Sequence, residues 1–306
     1  MTVAGMRVSL SADMARQRWK HVTVIGVGLI GGSAGLALKA RIPGVRIAGV
    51  GRRKKSLDEA LRRGAIDTAH LDARDAVRQS DVVLLATPVC SFGQHLRAIA
   101  PALRRGALVT DAGSTKSMVV RTAERILGGG GPFVGSHPMA GSQRKGVRFA
   151  DPNLFEGATC IVTPTPRTPG PLVTRTERFW ARLGMRTVRM TPSAHDRALA
   201  RVSHLPHVVS ALLMMLPRDG ELELAATGLR DTTRLAGGDP EMWRDVLLTN
   251  RRPLLAAMDA FGESLRELRS LLARSDAAGI EEFLAAAKQR RDATANERLR
   301  DRSGRH

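Results

Sequence analysis

Three short segments of this 306-residue chain contain histidine or serine, whose side chains can take part in proton transfer. In each segment glycine, proline or lysine lies close by. The three segments are Asp111 to Lys116 (DAGSTK), Ser136 to Gly141 (SHPMAG) and Ser203 to His207 (SHLPH). A neutral imidazole suits proton abstraction at physiological pH, because its ordinary pKa lies close to neutrality. His137 is therefore a candidate base, and we expect Ser114 beside it, with His204 and His207 across the same crevice.

Each of these residues also has a simpler structural interpretation. A histidine before a proline, such as His137, often only caps a loop. His204 and His207 lie three residues apart on a predicted helix, where they suit either core positions or a metal site. The sequence supplies no third Cys, Asp or Glu ligand at a suitable spacing, so we expect no metal.

A glycine pattern near the N-terminus predicts a dinucleotide-binding turn. Gly26, Gly28 and Gly31 form G-x-G-x-x-G between a short apolar strand and a helix. The first glycine permits a tight turn, the second lets the backbone approach a pyrophosphate, and the third allows the helix to pack on the strand. We expect these glycines, with Leu29 and Ile30, to bind the cofactor. The alternative is a glycine-rich turn without a ligand.

The end of the second predicted strand indicates which dinucleotide is bound. Enzymes that select NAD usually place Asp or Glu there, but this chain continues from Gly51 to Arg52, Arg53 and two lysines. Two arginines can clamp a 2′-phosphate, which favours NADP over NAD. The alternative is that both are solvated charges at the start of a helix. Thr87 and Pro88, which follow another apolar strand, are predicted to border the same cofactor.

The elements that position these residues alternate between strands and helices. Strands are predicted at His21–Gly26, Val45–Val50, Asp81–Ala86, Ala107–Asp111, Phe133–Gly135, Ala158–Thr163 and Met185–Met190. Helices are predicted at Gly28–Ala40, Lys55–Arg63 and Leu172–Leu183. This alternation predicts an α/β fold with a Rossmann-type, mostly parallel sheet. The loops at the carboxyl ends of such strands face the ligand crevice.

Beyond about Thr191 the apolar residues recur only at helical spacing, which predicts a second, all-helical domain. The predicted organisation is an N-terminal arm at 1–20, a dinucleotide-binding domain at 21–190, a helical domain at 191–290 and a basic flexible tail at 291–306.

The composition narrows the class of protein. The formal net charge is +19, which can attract nucleic acid or anionic metabolites. The basic residues are interleaved with acids along the whole chain, and only 3% of residues are aromatic side chains that stack on bases. We therefore favour a solvated basic surface and expect no specific nucleic-acid partner. A nucleic-acid-binding protein on a Rossmann scaffold is the alternative, and it predicts steeply salt-dependent DNA binding.

Location and cysteine chemistry follow from the same sequence. No apolar stretch approaches the roughly 20 residues that cross a bilayer, and residues 1–20 lack the apolar core of a signal peptide. We expect a cytoplasmic protein without membrane contact. Cys90 and Cys160 lie in no CxxC motif and no Cys/His cluster, and we expect both to be buried free thiols.

Several motifs together resemble the prephenate/arogenate dehydrogenases of tyrosine biosynthesis. Between about Val22 and Arg252 the chain contains, in order, VIGVGLIGGS, LLATPV, VTDAGSTK, GSHPMAG, SHLPH and GLRDTTRLAGGDPEMWRDVLLTNR. The resemblance implies a Rossmann-type domain followed by a helical dimerisation domain, a homodimer and a nicotinamide cofactor. It also implies oxidative decarboxylation of prephenate to 4-hydroxyphenylpyruvate or, as the alternative, of arogenate to tyrosine.

The resemblance also implies roles for individual residues. His137 matches the catalytic histidine that polarises the ring hydroxyl of the substrate, and Ser114 matches the serine that hydrogen-bonds the same hydroxyl. Arg234 matches the arginine that binds a substrate carboxylate, a bidentate task that lysine performs poorly. His204 and His207 match the pair near nicotinamide and substrate.

Two residues of the helical region have other interpretations. Arg234 suits an ion pair with Asp231 or Asp239, and we expect Trp243 in the core or a dimer interface rather than at the substrate.

The nearest enzymatic rival, a dehydrogenase of 3-hydroxy acids, typically uses a lysine from the helical domain. Residues 191–275 contain no lysine.

The chain departs from the family pattern after the HPMAG segment. Many members continue with Glu, whereas this chain has Ser142, Gln143, Arg144 and Lys145. We expect Gln143 to border the substrate. Arogenate carries an ammonium group that an acidic side chain would favour, and prephenate does not. The neutral and basic residues here therefore favour prephenate.

Overall fold

The computed structural model describes residues 19–142 and 144–303, with side chains to residue 294. Its strands are β1 His21–Ile25, β2 Arg46–Val50, β3 Thr68–His70, β4 Val82–Leu85, β5 Leu108–Asp111, β6 Phe133–Pro138, β7 Thr159–Thr163 and β8 Arg186–Arg189. Its helices are α1 Leu29–Arg41, α2 Lys54–Arg62, α3 Ala73–Val77, α4 Phe92–Ile99, α5 Ser117–Leu127, α6 Gly170–Arg182, α7 Pro192–Leu199, α8 Leu205–Met214, α9 Thr227–Thr233, α10 Pro240–Thr249, α11 Arg251–Ala273 and α12 Ala277–Ser303. Residues 1–18 of the predicted arm and Gln143 of the predicted substrate site lie outside the described residues.

The strands form one sheet in the order β3-β2-β1-β4-β5-β6-β7-β8. All pairs are parallel except the antiparallel pair β6–β7. The predicted mostly parallel α/β sheet is confirmed. Strand β4 shows why it forms, since its four apolar residues are fully buried. Val82 and Leu84 belong to one hydrophobic cluster, whereas Val83 and Leu85 belong to the other, so a core lies on each face of the sheet.

The strand order determines where the sheet offers a crevice. Strand β1 lies between β2 and β4, so the order of strands reverses beside β1. In open α/β sheets ligands bind at this reversal, outside the carboxyl ends of the strands. The turn after β1, the basic residues after β2 and the loop after β5 all lie at that edge.

The structure differs from the sequence-based expectation at Trp19, Cys90 and β3. Trp19, predicted in the arm, is only 3% exposed and packs edge-on against Phe179 with ring centroids 5.7 Å apart. Cys160 is buried as expected, but Cys90 is exposed because it lies in the turn after β4 rather than in the sheet. Strand β3 was not predicted because its residues carry no apolar run.

Beyond β8 the described residues form helices joined by turns, and no strand. A π-helical segment, Ala200–His204, joins α7 to α8. The chain forms two compact units that divide between Leu254 and Leu255, so α7 to α10 belong to the same unit as the sheet.

The second compact unit contains the rest of α11 and all of α12. Asp276 begins α12 by accepting the backbone N–H of Gly279 at 3.0 Å. Helix α12 continues to Ser303, so the residues predicted as a flexible tail are helical as far as that residue. Strong helix formers continue through this segment, with a Lys288–Asp292 pair at helical spacing. No helix in the described part of the chain is long and apolar enough to span a membrane.

Candidate active site

The turn between β1 and α1 has the shape that a dinucleotide requires. Gly26 has φ +101°, and a Cβ there would lie 2.6 Å from the carbonyl oxygen of Ala86. A Cβ on Gly31 would clash with the carbonyl oxygen of Gly26. Both positions therefore need glycine, the first for its conformation and the second for close packing of α1 on the strand.

The same turn leaves room for a ligand at the N-terminus of α1. Gly28 is the N-cap, a Cβ there would meet nothing within 4 Å, and no described side chain caps the helix. The first N–H groups of α1, in the turn that holds Leu29 and Ile30, therefore face open space and suit a pyrophosphate. The residues present fit a dinucleotide cofactor.

Two further predicted cofactor residues lie close to this turn. The Cγ2 atom of Thr87 would be 2.7 Å from a Cβ on Gly26, so Thr87 packs directly against the turn. The Thr87 hydroxyl shares a 2.8 Å hydrogen bond with Ser91. Pro88 is exposed next to it. The Cδ1 atom of Ile30 would lie 3.8 Å from a Cβ on Gly141, which brings the turn close to the end of the SHPMAG segment.

The basic residues after β2 are exposed at the same edge. Arg52 and Arg53 separate β2 from α2, and Arg53 is the N-cap of α2. Burial, and next the charge of Arg52, lowers the pKa of His95 on α4, so Arg52 lies near that half-buried ring. Residues 51–57 contain no carboxylate.

A buried ion pair holds the loop after β5 against β6. Lys116 and Asp111 are both fully buried and paired. Lys116 Nζ also donates to the carbonyl oxygen of Ser136 at 2.8 Å, and Asp111 accepts the backbone N–H groups of Ser136 at 2.9 Å and Gly113 at 2.8 Å. These bonds fix the residue immediately before His137. Ser114 is half-buried in the same loop.

His137 is the first member of a chain of three polar side chains. It is 8% exposed near the carboxyl end of β6, and its Nδ1 atom lies 2.8 Å from Nε2 of His195 on α7. His195 Nδ1 lies 2.9 Å from Asp196 Oδ1. The carboxylate of Asp196 also accepts the backbone N–H groups of Lys116 and Ser117, each at 2.8 Å, and so caps the N-terminus of α5.

The charges of these groups determine their proton positions. Burial alone would raise the pKa of Asp196, but hydrogen bonds from His195 and Ser117 outweigh it and leave the pKa below its usual value. Burial lowers the pKa of His195, although Asp196 opposes this effect. Burial, followed by the charges of His195 and Lys116, holds the pKa of His137 well below its usual range.

An ionised Asp196 and two neutral rings allow one arrangement of protons. Asp196 can only accept, so His195 carries its proton on Nδ1 and presents an unprotonated Nε2. That Nε2 accepts from His137 Nδ1–H, which leaves His137 Nε2 unprotonated. An unprotonated imidazole nitrogen with a second imidazole behind it can accept a proton and share the resulting charge.

His204 and His207 lie in a second cluster with Trp243. The His207 and Trp243 rings stack with centroids 3.6 Å apart and planes 10° apart, and His204 meets Trp243 edge-on at 6.1 Å. His204 ends the π-helical segment, and its Nδ1 lies 2.9 Å from Asn250 Nδ2. Burial, followed by the charge of His195, lowers the pKa of His204 to about 4.

Arg234 is exposed and begins the short turn after α9. The Ser210 hydroxyl of α8 accepts the backbone N–H of Ala236 in this turn at 2.9 Å. A Cβ on Gly238, four residues after Arg234, would lie 2.9 Å from the His207 ring. The backbone near Arg234 therefore runs beside the His207–Trp243 pair.

Sequence reasoning missed four residues of this arrangement: Lys116, His195, Asp196 and Asn250. Trp243, which the sequence predicts in the core or a dimer interface, contacts His204 and His207. The adjacent His195–Asp196 pair just before SHLPH was the available signal, since a carboxylate beside a histidine can orient its ring. No group of three or more His, Cys, Asp or Glu side chains suited to a metal occurs in the part of the chain that the structure describes.

The glycine turn, the reversal of strand order and the buried pair of histidines together define a dinucleotide-dependent dehydrogenase. The sequence matches the family model for the prephenate dehydrogenase nucleotide-binding domain over residues 34–189, and the model for the prephenate dehydrogenase dimerization domain over residues 191–286. The chain belongs to the prephenate dehydrogenase family, as the sequence motifs predicted.

Known relatives match over most of their length. Cyclohexadienyl dehydrogenase of Zymomonas mobilis is 35% identical over 84% of this chain and 90% of that protein. Prephenate dehydrogenase of Aquifex aeolicus, solved with hydroxyphenyl propionate and NAD+, superposes with a TM-score of 0.85 at 32% identity over 91% of this chain and 99% of the other. Synechocystis arogenate dehydrogenase superposes with a TM-score of 0.78 at 31% identity over 90% and 99%. These matches support an oxidoreductase with a nicotinamide cofactor.

Proposed function

We propose that this protein is a prephenate dehydrogenase in which His137 is the catalytic base. The observation that carries the proposal is the 2.8 Å contact of His137 with His195, because it leaves His137 Nε2 unprotonated. His137 Nε2 takes the proton of the ring hydroxyl, and hydride leaves the carbon that bears this hydroxyl. Loss of the ring carboxylate as carbon dioxide makes the ring aromatic, so the product is 4-hydroxyphenylpyruvate.

The nicotinamide cofactor, when bound, supplies the acceptor for the hydride. Residues of this chain do the rest. Ser114 donates to or accepts from the same ring hydroxyl, and Arg234 binds a substrate carboxylate through two parallel N–H groups. His204 and His207 line the site beside Trp243. The burial of His137 excludes water from the proton that moves.

We favour prephenate over arogenate because of the loop after β6. Arg144 lies with its guanidinium 5.2 Å from the Phe149 ring, and Lys145 pairs with Asp239 at the start of α10. Residues 139–146 carry these two cations and no carboxylate, which disfavours the ammonium group of arogenate. Arogenate is the alternative substrate, because the structure is also similar to the arogenate dehydrogenase of Synechocystis.

We propose NADP as the preferred cofactor. Its support is the exposed Arg52–Arg53 pair at the end of β2, with no acidic residue to hold a ribose 2′-hydroxyl. NAD is the alternative cofactor, because the similar Aquifex enzyme was solved with NAD+.

We propose that the protein acts as a homodimer through its helical domain, residues 191–290. The match to a dimerization domain supports this proposal. Several large apolar side chains of this region are exposed, including Val202 (70%), Met215 (83%), Leu224 (84%) and Leu272 (59%). Burial of such exposed apolar side chains against a second subunit would be favourable. Sedimentation velocity tests it, and a monomer at micromolar concentration contradicts it.

The proposed function is tested by offering prephenate and arogenate, each with NAD and with NADP, and recording the absorbance of reduced nicotinamide. We expect the fastest turnover with prephenate and NADP. A clear preference for arogenate or for NAD overturns the corresponding half of the proposal. A folded protein that is silent with all four pairs overturns the activity itself.

A further inference from the structure

We infer that Asn250 is a positioning residue that makes His204 a hydrogen-bond donor through Nε2. Asn250 is 1% exposed and follows the end of α10. Its Nδ2 atom lies 2.8 Å from the carbonyl oxygen of Asp196 and 2.9 Å from His204 Nδ1. The role of His204 in substrate binding rests on the proposed function. The position of the ring proton of His204 rests only on the contacts of Asn250.

The orientation of the Asn250 amide follows from its two neighbours. A backbone carbonyl can only accept, so the amide must turn its NH2 group, not its oxygen, toward Asp196. One N–H is donated there, and the other points at His204 Nδ1. The reversed amide would place two oxygens against each other. The oxygen Asn250 Oδ1 is left buried without a partner among the described residues.

This orientation determines the tautomer of His204. Because Nδ1 accepts a hydrogen bond from the Asn250 N–H, the ring proton of neutral His204 lies on Nε2. The ring remains neutral near physiological pH, since burial and the charges of His195 and His207 lower its pKa and only Asp196 opposes them. His204 therefore offers one fixed donor, which suits an acceptor oxygen such as a substrate carboxylate.

The same amide joins two parts of the site. Asp196 holds His195 through its side chain and Asn250 through its carbonyl oxygen. Asn250 therefore connects Asp196, which supports the His195–His137 pair, to His204, which we assign to substrate binding. A residue with only a packing role would not determine a proton position.

The test is nitrogen NMR of the uniformly 15N-labelled full-length chain, in which an imidazole nitrogen with a proton is distinguished from one without. A His204→Gln variant identifies the His204 signals. We expect His204 Nδ1 to be unprotonated and Nε2 to carry the proton in the unaltered protein. A proton on Nδ1 overturns the inference. The measurement depends neither on enzyme activity nor on a substitution of Asn250.

An Asn250→Asp variant adds a second readout, because a carboxylate can only accept from His204. We expect the His204 proton to move to Nδ1, or the ring to become charged. Thr249→Ala is the matched control, since Thr249 lies next in the chain and its hydroxyl bonds to Thr115 and to the backbone of α10. The His204 tautomer should be unchanged in that control. An unchanged tautomer in a folded Asn250→Asp variant contradicts the inference.

Kinetics then test the link to substrate. Asn250→Ala removes the donor, and we expect the KM for prephenate to rise about tenfold, as the loss of one hydrogen bond implies, with the KM for the cofactor within about twofold. An unchanged KM for prephenate, with the predicted tautomer present, would overturn the substrate role alone. Inactivity of the unaltered enzyme with prephenate would instead count against the proposed function.

Discussion

The Nδ1 atom of His137 lies 2.8 Å from the Nε2 atom of His195, and the two rings come from segments 58 residues apart. His195 therefore holds His137 through Nδ1, and the opposite ring nitrogen, Nε2, is the one that we propose as the base. The carboxylate of Asp196 completes the arrangement from the next residue along the chain. In the proposed mechanism, the positive charge of a proton taken by His137 is shared with a second ring that is itself bonded to an anion.

Replacing His195 tests this arrangement directly. In a His195→Asn variant, His137 loses its acceptor and the orientation that goes with it. We expect kcat to fall on the order of 10²-fold, with the KM for prephenate changed by less than about threefold. Steady-state kinetics with saturating cofactor provide the measurement. A variant with unchanged kcat would show that His195 only fills space.

Replacing the proposed base itself has a larger expected effect on kcat. We expect His137→Asn to lower kcat by about 10²- to 10⁴-fold, the usual contribution of a positioned general base, with little change in the melting temperature. The matched control is His70→Asn, since His70 lies in β3 at the edge of the sheet, where its side chain bonds to Thr68. Near-normal turnover in His137→Asn would remove His137 from the mechanism.

The proposed role of His137 predicts how the activity of the unaltered enzyme depends on pH. Because the pKa of His137 lies well below its usual range, the base stays unprotonated at neutral pH and below it. We expect kcat to decrease only as the pH falls through that lowered pKa. The pH profile of kcat measures this, and a decrease centred at the ordinary histidine pKa of about 6.5 would contradict it.

The buried Lys116–Asp111 pair predicts a non-additive effect on stability. A Lys116→Met variant leaves Asp111 buried without its partner, and we expect the free energy of unfolding to fall by about 3 to 5 kcal/mol. The double variant Lys116→Met/Asp111→Asn should recover part of this loss, because no charge remains buried. Urea unfolding of the two single variants and the double variant measures the coupling. Strictly additive effects would show that the pair is not coupled.

The lowered pKa of His204 predicts how the free energy of unfolding depends on pH. Between about 6.5, the usual value, and about 4, the unfolded chain binds a proton at this ring that the folded chain does not bind. The free energy of unfolding therefore falls as the pH falls through that window. A His204→Gln variant should show a shallower fall, measured by urea unfolding at several pH values. Equal slopes would mean that His204 titrates normally in the folded protein.

Cofactor choice is tested at the end of β2. We expect Arg52→Ala/Arg53→Ala to lower kcat/KM for NADP by about 10- to 100-fold, since hydrogen bonds to a charged group contribute about 1.5–3 kcal/mol, and to change kcat/KM for NAD little. Arg105→Ala is a control of equal charge type, because Arg105 is exposed before β5, at the opposite edge of the sheet. Equal losses with both cofactors would indicate a general effect of charge.

The extent of sequence-based prediction varied with the kind of signal. Strands such as β4 were predictable because parallel strands buried on both faces are continuous apolar runs. The glycine turn was predictable because its spacing reflects local geometry at Gly26 and Gly31. His195 and Asn250 were not identified, because their roles depend on contacts with residues 58 and 46 positions away in the chain. A single sequence contains no measure of such distances.

The side chain of Asp196 has two partners in different parts of the fold, His195 and the first turn of α5. The support of the proposed base and the N-terminal cap of α5 therefore depend on the same carboxylate. A chimera made by joining the sheet of this enzyme to the helices of a relative at residue 190 would exchange the cap of α5 along with the support of the base. An exchange after Asn250 would leave both intact, and this is where a recombined enzyme should be cut.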